Sequence, residues 1–446
     1  MRKDYKALLE EAKTVLKGNW VGHYTRPSPA LYPHQWNWDS GFIAIGYSHY
    51  NQRKAEEELR SLLNAQWKNG MVPQIVFNQE ALGGYFPEPD FWQAERSPEF
   101  PSNILTSGIT MPPIHATAAW MIYKNGDDKR EAEGFLREIF PKLKMSHEYF
   151  YKHRNPDGNG LVYIRHPWES GFDNSPAWDI PLRGINIDKS KLPLYERRDI
   201  KKGISKEERP TDEDYDRYIY LVDLFRNNDY DEAAIYESCP FLVQDVAFNS
   251  ILCNADQSLM QIGELIGEDI SDVMEWESKT RTAINKKLWS REDHVYYDYD
   301  LYNRSLTGKN TATDFLPLFA GVPSEEQAGF IFASLDSVNF CEMHNNKCFS
   351  VPSYDLKSHY VDTKNYWRGP VWINLNWMLY HGLKRYGFLE KAMAVRQDIL
   401  ELTAMYGFHE YFEPYKGRGR GYGTDNFSWT AALFIDMMFE NGFLRY

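Results

Sequence analysis

Helical periodicity dominates this chain of 446 residues. In twelve segments apolar residues recur every three or four positions, the spacing that gives a helix one buried face. The predicted helices span 4–17, 39–47, 53–67, 112–124, 129–153, 241–266, 272–288, 311–319, 324–335, 366–386, 388–404 and 427–440. Consecutive helices form hairpins, and the first helix is left to pair with the last. We therefore expect an all-α fold, an (α/α)6 barrel around a central cavity, although an open solenoid of hairpins would show the same pattern.

A long stretch without clear periodicity, roughly 155–238, separates the fifth and sixth predicted helices. Its middle part is highly charged. A loop of this length in a compact domain is usually functional, often a lid, or else disordered. We expect a single domain, 1–446, that contains 155–238 as an irregular insert or lid region. Alternating aromatic and polar residues at 294–303 predict a small hairpin.

Charge and cysteine content limit the partners and the location. The net charge is −13 and no basic block is present, which argues against nucleic acid and anionic membranes as partners. Residues 1–18 are charged and lack the apolar core of a secretory signal, and no apolar run is long enough to span a membrane. Cys239, Cys253, Cys341 and Cys348 show no CxxC spacing, so we expect reduced thiols and a cytoplasmic location. The sequence leaves formation of a homo-oligomer open.

Two loops rich in aromatic residues and glycine carry candidate catalytic acids. The run HPWESGFDNSP contains Glu169 and Asp173, and the run FHEYFEPYKGRGRGYG contains Glu410 and Glu413. A carboxyl group beside aromatic faces loses solvation, which raises its pKa toward the range of a general acid. Any one such acid is better explained as a helix cap or an arginine partner. Two such loops in one chain match the pair of carboxyl groups that glycoside hydrolysis requires.

Other aromatic-rich loops precede predicted helices. LYPHQWNWDSGF contains Trp36, Trp38 and Asp39, and Asp39 is equally suited to cap a helix. NYWRGPVWINLNW contains Arg368, whose planar fork could hold a carboxylate. Free N–H groups at helix starts bind oxygens, so several such loops around one space indicate a sugar cavity. No nucleotide-binding, serine-hydrolase or zinc-protease motif is present, and the histidines lack metal-ligand spacing, so we expect no cofactor and no metal.

Together these motifs resemble glycoside hydrolase family 63, above all its small glucosylglycerate and mannosylglycerate hydrolases. The resemblance runs through YPHQWNWD, AQWKNGMVPQIVF, GYFPEP, TSGITMPP, WESGFDNSP, ERPTDEDYDRY, YWRGPVW and HEYFEP to SWTAA. It implies an (α/α)6 barrel and hydrolysis, with inversion, of a small α-glucoside or α-mannoside, in particular glucosylglycerate or mannosylglycerate. Asp173 then matches the general acid and Glu410 the general base.

The resemblance also assigns contacts with the small-molecule sugar substrate. Residues that match Arg209 and Tyr215 of the insert approach the glycerate carboxylate in the relatives. The other positions expected to line the sugar site are Tyr32, Trp36, Trp38, Asp39, Tyr85, Met111, Trp168, Tyr366, Trp367, Arg368, Trp372, Phe427 and Trp429. The relatives carry Gln at the positions of Met111 and Phe427, so we expect a shifted preference for the sugar or the aglycone.

Three alternative functions remain open from the sequence. The same machinery could hydrolyse a neutral α-glucosyl disaccharide or oligosaccharide. An (α/α)6 protein could also bind carbohydrate without catalysis, but binding alone needs neither Asp173 nor Glu410. A sugar epimerase on this barrel would use paired histidines, for which His34, His115 and His409 are available.

Overall fold

The computed structural model describes residues 4–200 and 204–440, and twelve helices of this part form two layers around a closed ring. The inner helices are α2 (Asn37–Ser48), α4 (His115–Asn125), α6 (Val246–Ile266), α8 (Pro317–Ala320), α10 (Ile373–Arg385) and α12 (Ser428–Phe439). The outer helices are α1 (Tyr5–Asn19), α3 (Gln52–Asn64), α5 (Lys129–His153), α7 (Ser271–Ala283), α9 (Glu325–Leu335) and α11 (Leu389–Tyr406). Each inner helix packs against the next, and α12 packs against α2. The prediction of an (α/α)6 barrel is confirmed, and the closed ring excludes an open solenoid.

The first and last helices of the ring pair with each other, as the hairpin pattern predicts. Helix α1 packs along α12. At their junction the Asn19 amide donates to the carbonyl oxygen of Asn426 at 2.8 Å and to the hydroxyl of Ser428 at 2.9 Å. No helix in residues 4–200 and 204–440 is long and apolar enough to cross a membrane.

The insert between α5 and α6 is more regular than the sequence predicts. It contains a helix of 16 residues, Asp212–Asn227, which we call the insert helix. The Thr211 hydroxyl accepts from the Asp214 N–H, and the Asp214 carboxylate accepts from the Thr211 N–H, so a capping box begins this helix. The prediction of an irregular segment was wrong here: the helix buries an apolar face at helical spacing, from Tyr215 to Phe225, and the high charge of the surrounding sequence obscured this pattern. Shorter helices of the insert are Pro167–Ser170, Asp179–Arg183 and Glu232–Ser238.

Two-residue strands, β1 to β9, form small antiparallel sheets between the helices. The two-stranded sheets pair β1 (Gln35–Trp36) with β2 (Ile75–Val76), β4 (Trp289–Ser290) with β5 (Val295–Tyr296), and β8 (Tyr411–Phe412) with β9 (Gly421–Tyr422). A three-stranded sheet has the order β3 (Val243–Gln244), β6 (Tyr299–Asp300), β7 (Ser305–Leu306). The segment predicted as one hairpin, 294–303, is therefore divided between two sheets. A further short helix spans Pro89–Trp92.

The prediction of four reduced thiols was wrong for one pair of cysteines. Cys341 and Cys348 form a disulfide, whereas Cys239 and Cys253 are free and buried. Sequence spacing did not show that the loop between the two bonded residues folds back on itself. The disulfide removes the cysteine-based argument for a cytoplasmic location.

Candidate active site

A cavity with about 710 Å³ of empty space, which includes solvent space at its mouth, lies where the starts of α2, α4, α10 and α12 meet the insert. The predicted site residues that line it are Tyr32, Trp36, Trp38, Asp39, Tyr85, Met111, Trp168, Asp173, Arg209, Tyr215, Tyr366, Glu410, Phe427 and Trp429. These residues lie far apart in the sequence, and they meet because the inner helices all begin at the same end of the barrel. The apolar side chains of Met111 and Phe427 face the cavity, as the resemblance implies.

Three predicted sugar contacts do not line the cavity. Trp367 and Trp372 stack face to face with ring centroids 3.7 Å apart, and the Trp372 indole N–H donates to the carbonyl oxygen of Tyr366 at 2.9 Å. Both indole rings therefore pack against the Tyr366 ring without lining the cavity themselves. Arg368 donates to both carboxylate oxygens of Asp179 at 2.8 and 2.9 Å, so its planar fork holds a carboxylate of the protein itself.

A glycine places Asp173 on the cavity wall. Gly171 ends the short helix Pro167–Ser170 with φ +76°, and a Cβ there would lie 2.5 Å from the Trp38 ring. Only glycine fits this left-handed turn against the indole. Burial raises the pKa of Asp173 to about 7, although the Arg209 guanidinium lowers it, and the Glu410 carboxylate raises it further. Asp173 can therefore hold a proton near neutral pH and donate it.

Glu410, immediately before β8, is surrounded by hydrogen-bond donors. Its Oε1 accepts from the Tyr32 hydroxyl at 2.9 Å and from the Tyr366 hydroxyl at 3.0 Å. Arg209 donates to Oε2 at 2.9 Å and to Oε1 at 3.4 Å. Gly423 allows this fit, because a Cβ on its left-handed backbone (φ +67°) would lie 2.2 Å from Oε2. A carboxylate with these charge-assisted bonds is positioned to accept a proton.

The other two candidate acids serve the framework of the site. Glu169 is fully buried and accepts two hydrogen bonds of 3.1 Å from the Arg154 guanidinium. Glu413 accepts from the hydroxyls of Thr363 and Tyr422, each at 2.9 Å. Neither carboxyl group lines the cavity. The geometry therefore favours Asp173 and Glu410 as the pair that contacts a ligand.

Sequence reasoning missed two polar residues of the cavity, Gln74 and Asp199. Gln74 stands in the run AQWKNGMVPQIVF, which carries the family resemblance, so a signal for it was present. Asp199 stands in the charged part of the insert, where nothing distinguishes it from its neighbours. Arg197 holds the Asp199 carboxylate with an Nη2–Oδ2 distance of 2.6 Å, and its guanidinium lies 4.1 Å from the centre of the Tyr215 ring.

Carboxyl groups dominate the charge of the cavity. Four acids line it, Asp39, Asp173, Asp199 and Glu410, and among the lining residues Arg209 is the cation. Burial raises the pKa of Asp39 well above its usual range, and the nearby Glu410 and Asp173 carboxyls raise it further. In the described ranges no cluster of three or more His, Cys, Asp or Glu side chains is arranged to hold a metal ion.

The fold and the site define the class of protein. The (α/α)6 barrel contains a cavity lined by aromatic residues and by two carboxyl groups with different surroundings. Burial raises the pKa of Asp173, whereas the Glu410 carboxylate accepts hydrogen bonds from Arg209. Such a division of roles between two carboxyl groups is characteristic of glycoside hydrolases.

Comparison with known proteins identifies the family. A family model described as mannosylglycerate hydrolase MGH1-like glycoside hydrolase domain matches residues 32–430. The chain is 45% identical over 433 residues to the mannosylglycerate hydrolase of Rubrobacter radiotolerans, and this match covers 97% of each chain. It is 34% identical to the glucosylglycerate hydrolase of Mycolicibacterium hassiacum, again over 97% of each chain. The chain therefore belongs to the MGH1-like group of glycoside hydrolase family 63 and is a hydrolase of small glycosides.

A solved structure agrees with this assignment over almost the whole length. The GH63 mannosylglycerate hydrolase from Thermus thermophilus, in complex with Tris and D-glycerate, superposes with a TM-score of 0.89 at 41% sequence identity. The match covers 96% of this chain and 99% of that chain.

Proposed function

We propose that this protein hydrolyses α-mannosylglycerate or α-glucosylglycerate with inversion of the anomeric configuration. The observation that carries the proposal is the pair Asp173 and Glu410, which line one cavity: burial raises the pKa of Asp173 to about 7, whereas the Glu410 carboxylate accepts hydrogen bonds from Arg209. The substrates named for the relatives at 45% and 34% identity support the choice of aglycone.

In the proposed mechanism the two carboxyl groups act on opposite faces of the sugar. Protonated Asp173 gives its proton to the glycosidic oxygen as the bond to the anomeric carbon breaks. Ionised Glu410 takes a proton from the water that attacks that carbon from the other face. Inverting enzymes keep their carboxyl groups ~6.5–9.5 Å apart to leave room for this water. An α-glycoside then gives the β-sugar as the first product.

The remaining cavity residues divide between the two parts of the substrate. The aromatic faces of Trp36, Trp38 and Trp168 suit the apolar face of a sugar ring. Arg209 and Tyr215 belong to the insert, so we propose that 155–238 covers the aglycone as a lid region of a single catalytic domain. The Arg209 Nε atom is buried and has no hydrogen-bond partner in the described part of the chain. We assign this N–H to the carboxylate of the glycerate.

A neutral α-glucoside is the second candidate substrate, and one observation favours it. Among the described residues that line the cavity are four carboxyl groups and a single guanidinium, and that guanidinium already binds Glu410. A carboxylate on the aglycone would add another negative charge to this low-dielectric space. The apolar Met111 and Phe427 also suit an aglycone without charge.

Product analysis by proton NMR distinguishes these candidates. Mannosylglycerate, glucosylglycerate and a neutral α-glucosyl disaccharide are each incubated with the wild type and with Asp173→Asn, which serves as the control for background hydrolysis. We expect the β-anomer to appear first and the glycosylglycerates to have the higher kcat/KM. Release of the α-anomer first would overturn inversion. A higher kcat/KM for the disaccharide would replace the proposed substrate with the neutral one.

A further inference from the structure

Gln74 is fixed rigidly on the barrel side of the cavity. It directly precedes β2, and its N–H donates to the carbonyl oxygen of Ile109 at 2.7 Å. Its own carbonyl oxygen accepts from the N–H of Asn37 at 2.9 Å. The backbone of Gln74 is therefore held between the first turn of α2 and the loop that leads to Met111.

The side chain of Gln74 carries an unpaired polar atom. The residue is 6% exposed and lines the cavity. Its Oε1 atom is buried and has no hydrogen-bond partner within residues 4–200 and 204–440. Most buried polar side-chain atoms in proteins are paired, so an unpaired carbonyl on the wall of a cavity points to a ligand that pairs with it.

The surroundings of Gln74 define what it can bind. It contributes the only carboxamide among the described side chains that line the cavity. A carboxamide has both donors and an acceptor and stays neutral at all pH values, which suits a hydroxyl group of a sugar. The insert residues Arg209 and Tyr215, which we assign to the aglycone, come from a different part of the chain.

We propose that Gln74 is a specificity-determining residue whose carboxamide binds one hydroxyl group of the glycon. The assignment of this hydroxyl to the glycon rather than the aglycone rests on the proposed function. Because Met111 and Phe427 offer no hydrogen bond, the carboxamide of Gln74 can distinguish one stereochemistry of the sugar from another.

The test pairs a variant of the enzyme with deoxy analogues of the substrate. Gln74→Met replaces the carboxamide with an apolar group of similar size. The wild type and the variant are assayed on the parent α-glycoside and on its 2-, 3-, 4- and 6-deoxy glycon analogues. Gln244→Met is the matched control, because Gln244 is also buried with an unpaired Oε1 but lies outside the cavity.

We expect one deoxy analogue to lower kcat/KM of the wild type about 3- to 10-fold, the factor typical of one hydrogen bond. Gln74→Met should lower kcat/KM on the parent by a similar factor and show no further loss on that analogue. Gln244→Met should keep the wild-type pattern. Additive losses for Gln74→Met on every analogue, or the same loss of discrimination in Gln244→Met, overturn the inference.

A binding measurement separates this inference from the proposed function. If the wild type hydrolyses neither glycosylglycerate, the proposed function fails, but Gln74 can still be tested. Calorimetric binding of D-mannose, D-glucose and their deoxy analogues is then compared between the wild type and Gln74→Met. Loss of sensitivity to one hydroxyl in the variant supports the role of Gln74. Equal sensitivity in both proteins, or no binding of any sugar, overturns it.

Discussion

Arg209 and Glu410 form a buried ion pair inside the cavity, with 2.9 Å between the guanidinium Nη2 and the carboxylate Oε2. Their side chains are 3% and 1% exposed. The arginine belongs to the insert and the glutamate precedes β8 of the barrel, so the pair joins these two parts of the molecule. Removal of one partner from a buried ion pair leaves an uncompensated charge and is strongly destabilising. The position of the proposed base is thereby tied to the position of the insert.

The assignment of the two catalytic carboxyl groups predicts selective losses of rate. Asp173→Asn and Glu410→Gln should each lower kcat by about 10²–10⁴-fold, the contribution of general acid–base catalysis. Both should keep the circular dichroism spectrum of the folded enzyme, although Glu410→Gln breaks the ion pair with Arg209 and should lower the free energy of unfolding. Glu413→Gln is the control, because its carboxyl group lies outside the cavity and accepts from Tyr422. An inactive Glu413→Gln beside an active Glu410→Gln would show that the base has been assigned to the wrong residue.

The pH dependence follows from the state in which Asp173 acts. The general acid must be protonated, and burial raises its pKa to about 7, so kcat/KM should fall as the pH rises through about 7. The Arg209 charge lowers this pKa, so Arg209→Met should move the descending limb to higher pH. Initial rates in constant-ionic-strength buffers give both profiles. A limb near pH ~4, where an ordinary aspartate titrates, would contradict the proposed role.

Arg209→Ala should impair every substrate, and those with a carboxylate most. Loss of the guanidinium leaves Glu410 without its cation, which lowers kcat on neutral α-glycosides as well. For glycosylglycerates we expect an additional increase in KM equivalent to about 1.5–3 kcal/mol, the value of a hydrogen bond to a charged group. Arg217→Ala is the control, because this arginine of the insert helix lies outside the cavity and pairs with Glu213. Equal losses on charged and neutral substrates would remove Arg209 from aglycone recognition.

Substitution of Gly171 should affect both stability and activity. Gly171→Ala introduces a Cβ 2.5 Å from the Trp38 ring on a backbone with φ +76°. Gly22→Ala is the control, since Gly22 has a similar φ of +83° and open space around it. The control should lose about 1–2 kcal/mol of unfolding free energy in urea from backbone strain. Gly171→Ala should lose about 1–3 kcal/mol more from overpacking, together with kcat, because Asp173 moves. Equal losses in the two variants would show that contact with Trp38 is unimportant.

The barrel could be predicted from the sequence because its outer helices carry regular apolar stripes and most of its inner helices are long apolar segments, with α8 as a short exception. The insert helix was missed although Thr211 and Asp214 form a capping box and its buried residues recur at helical spacing, because charged residues dominate the sequence around that face. The Cys341–Cys348 disulfide was missed because it depends on the path of a loop. A disulfide of this kind leaves no periodic pattern in the sequence.

The candidate site was predictable in its aromatic walls and less so in its polar contacts. Composition and spacing did not separate Glu169 from Asp173, because both stand in one loop; the family resemblance favoured Asp173, and the partner Arg154 shows that Glu169 serves the framework. Arg209 was expected to contact the aglycone. Its ion pair with Glu410, which lies 201 residues later in the sequence, was not expected. Such pairings depend on how the ring closes, which local sequence patterns do not encode.

Closure of the ring by α1 and α12 has a consequence for synthesis of the protein. The hydrogen bond between Asn19 and Asn426 cannot form until Asn426, 407 residues later, has been synthesised. At ribosomal rates of about 5–20 residues per second, this interval lasts roughly 20–80 s. Throughout that time the inner helices already made form an open arc with exposed apolar edges, a form to which chaperones can bind. Glu410 lies shortly before Asn426 in the sequence, so the active site is completed at about the same stage of synthesis as the ring.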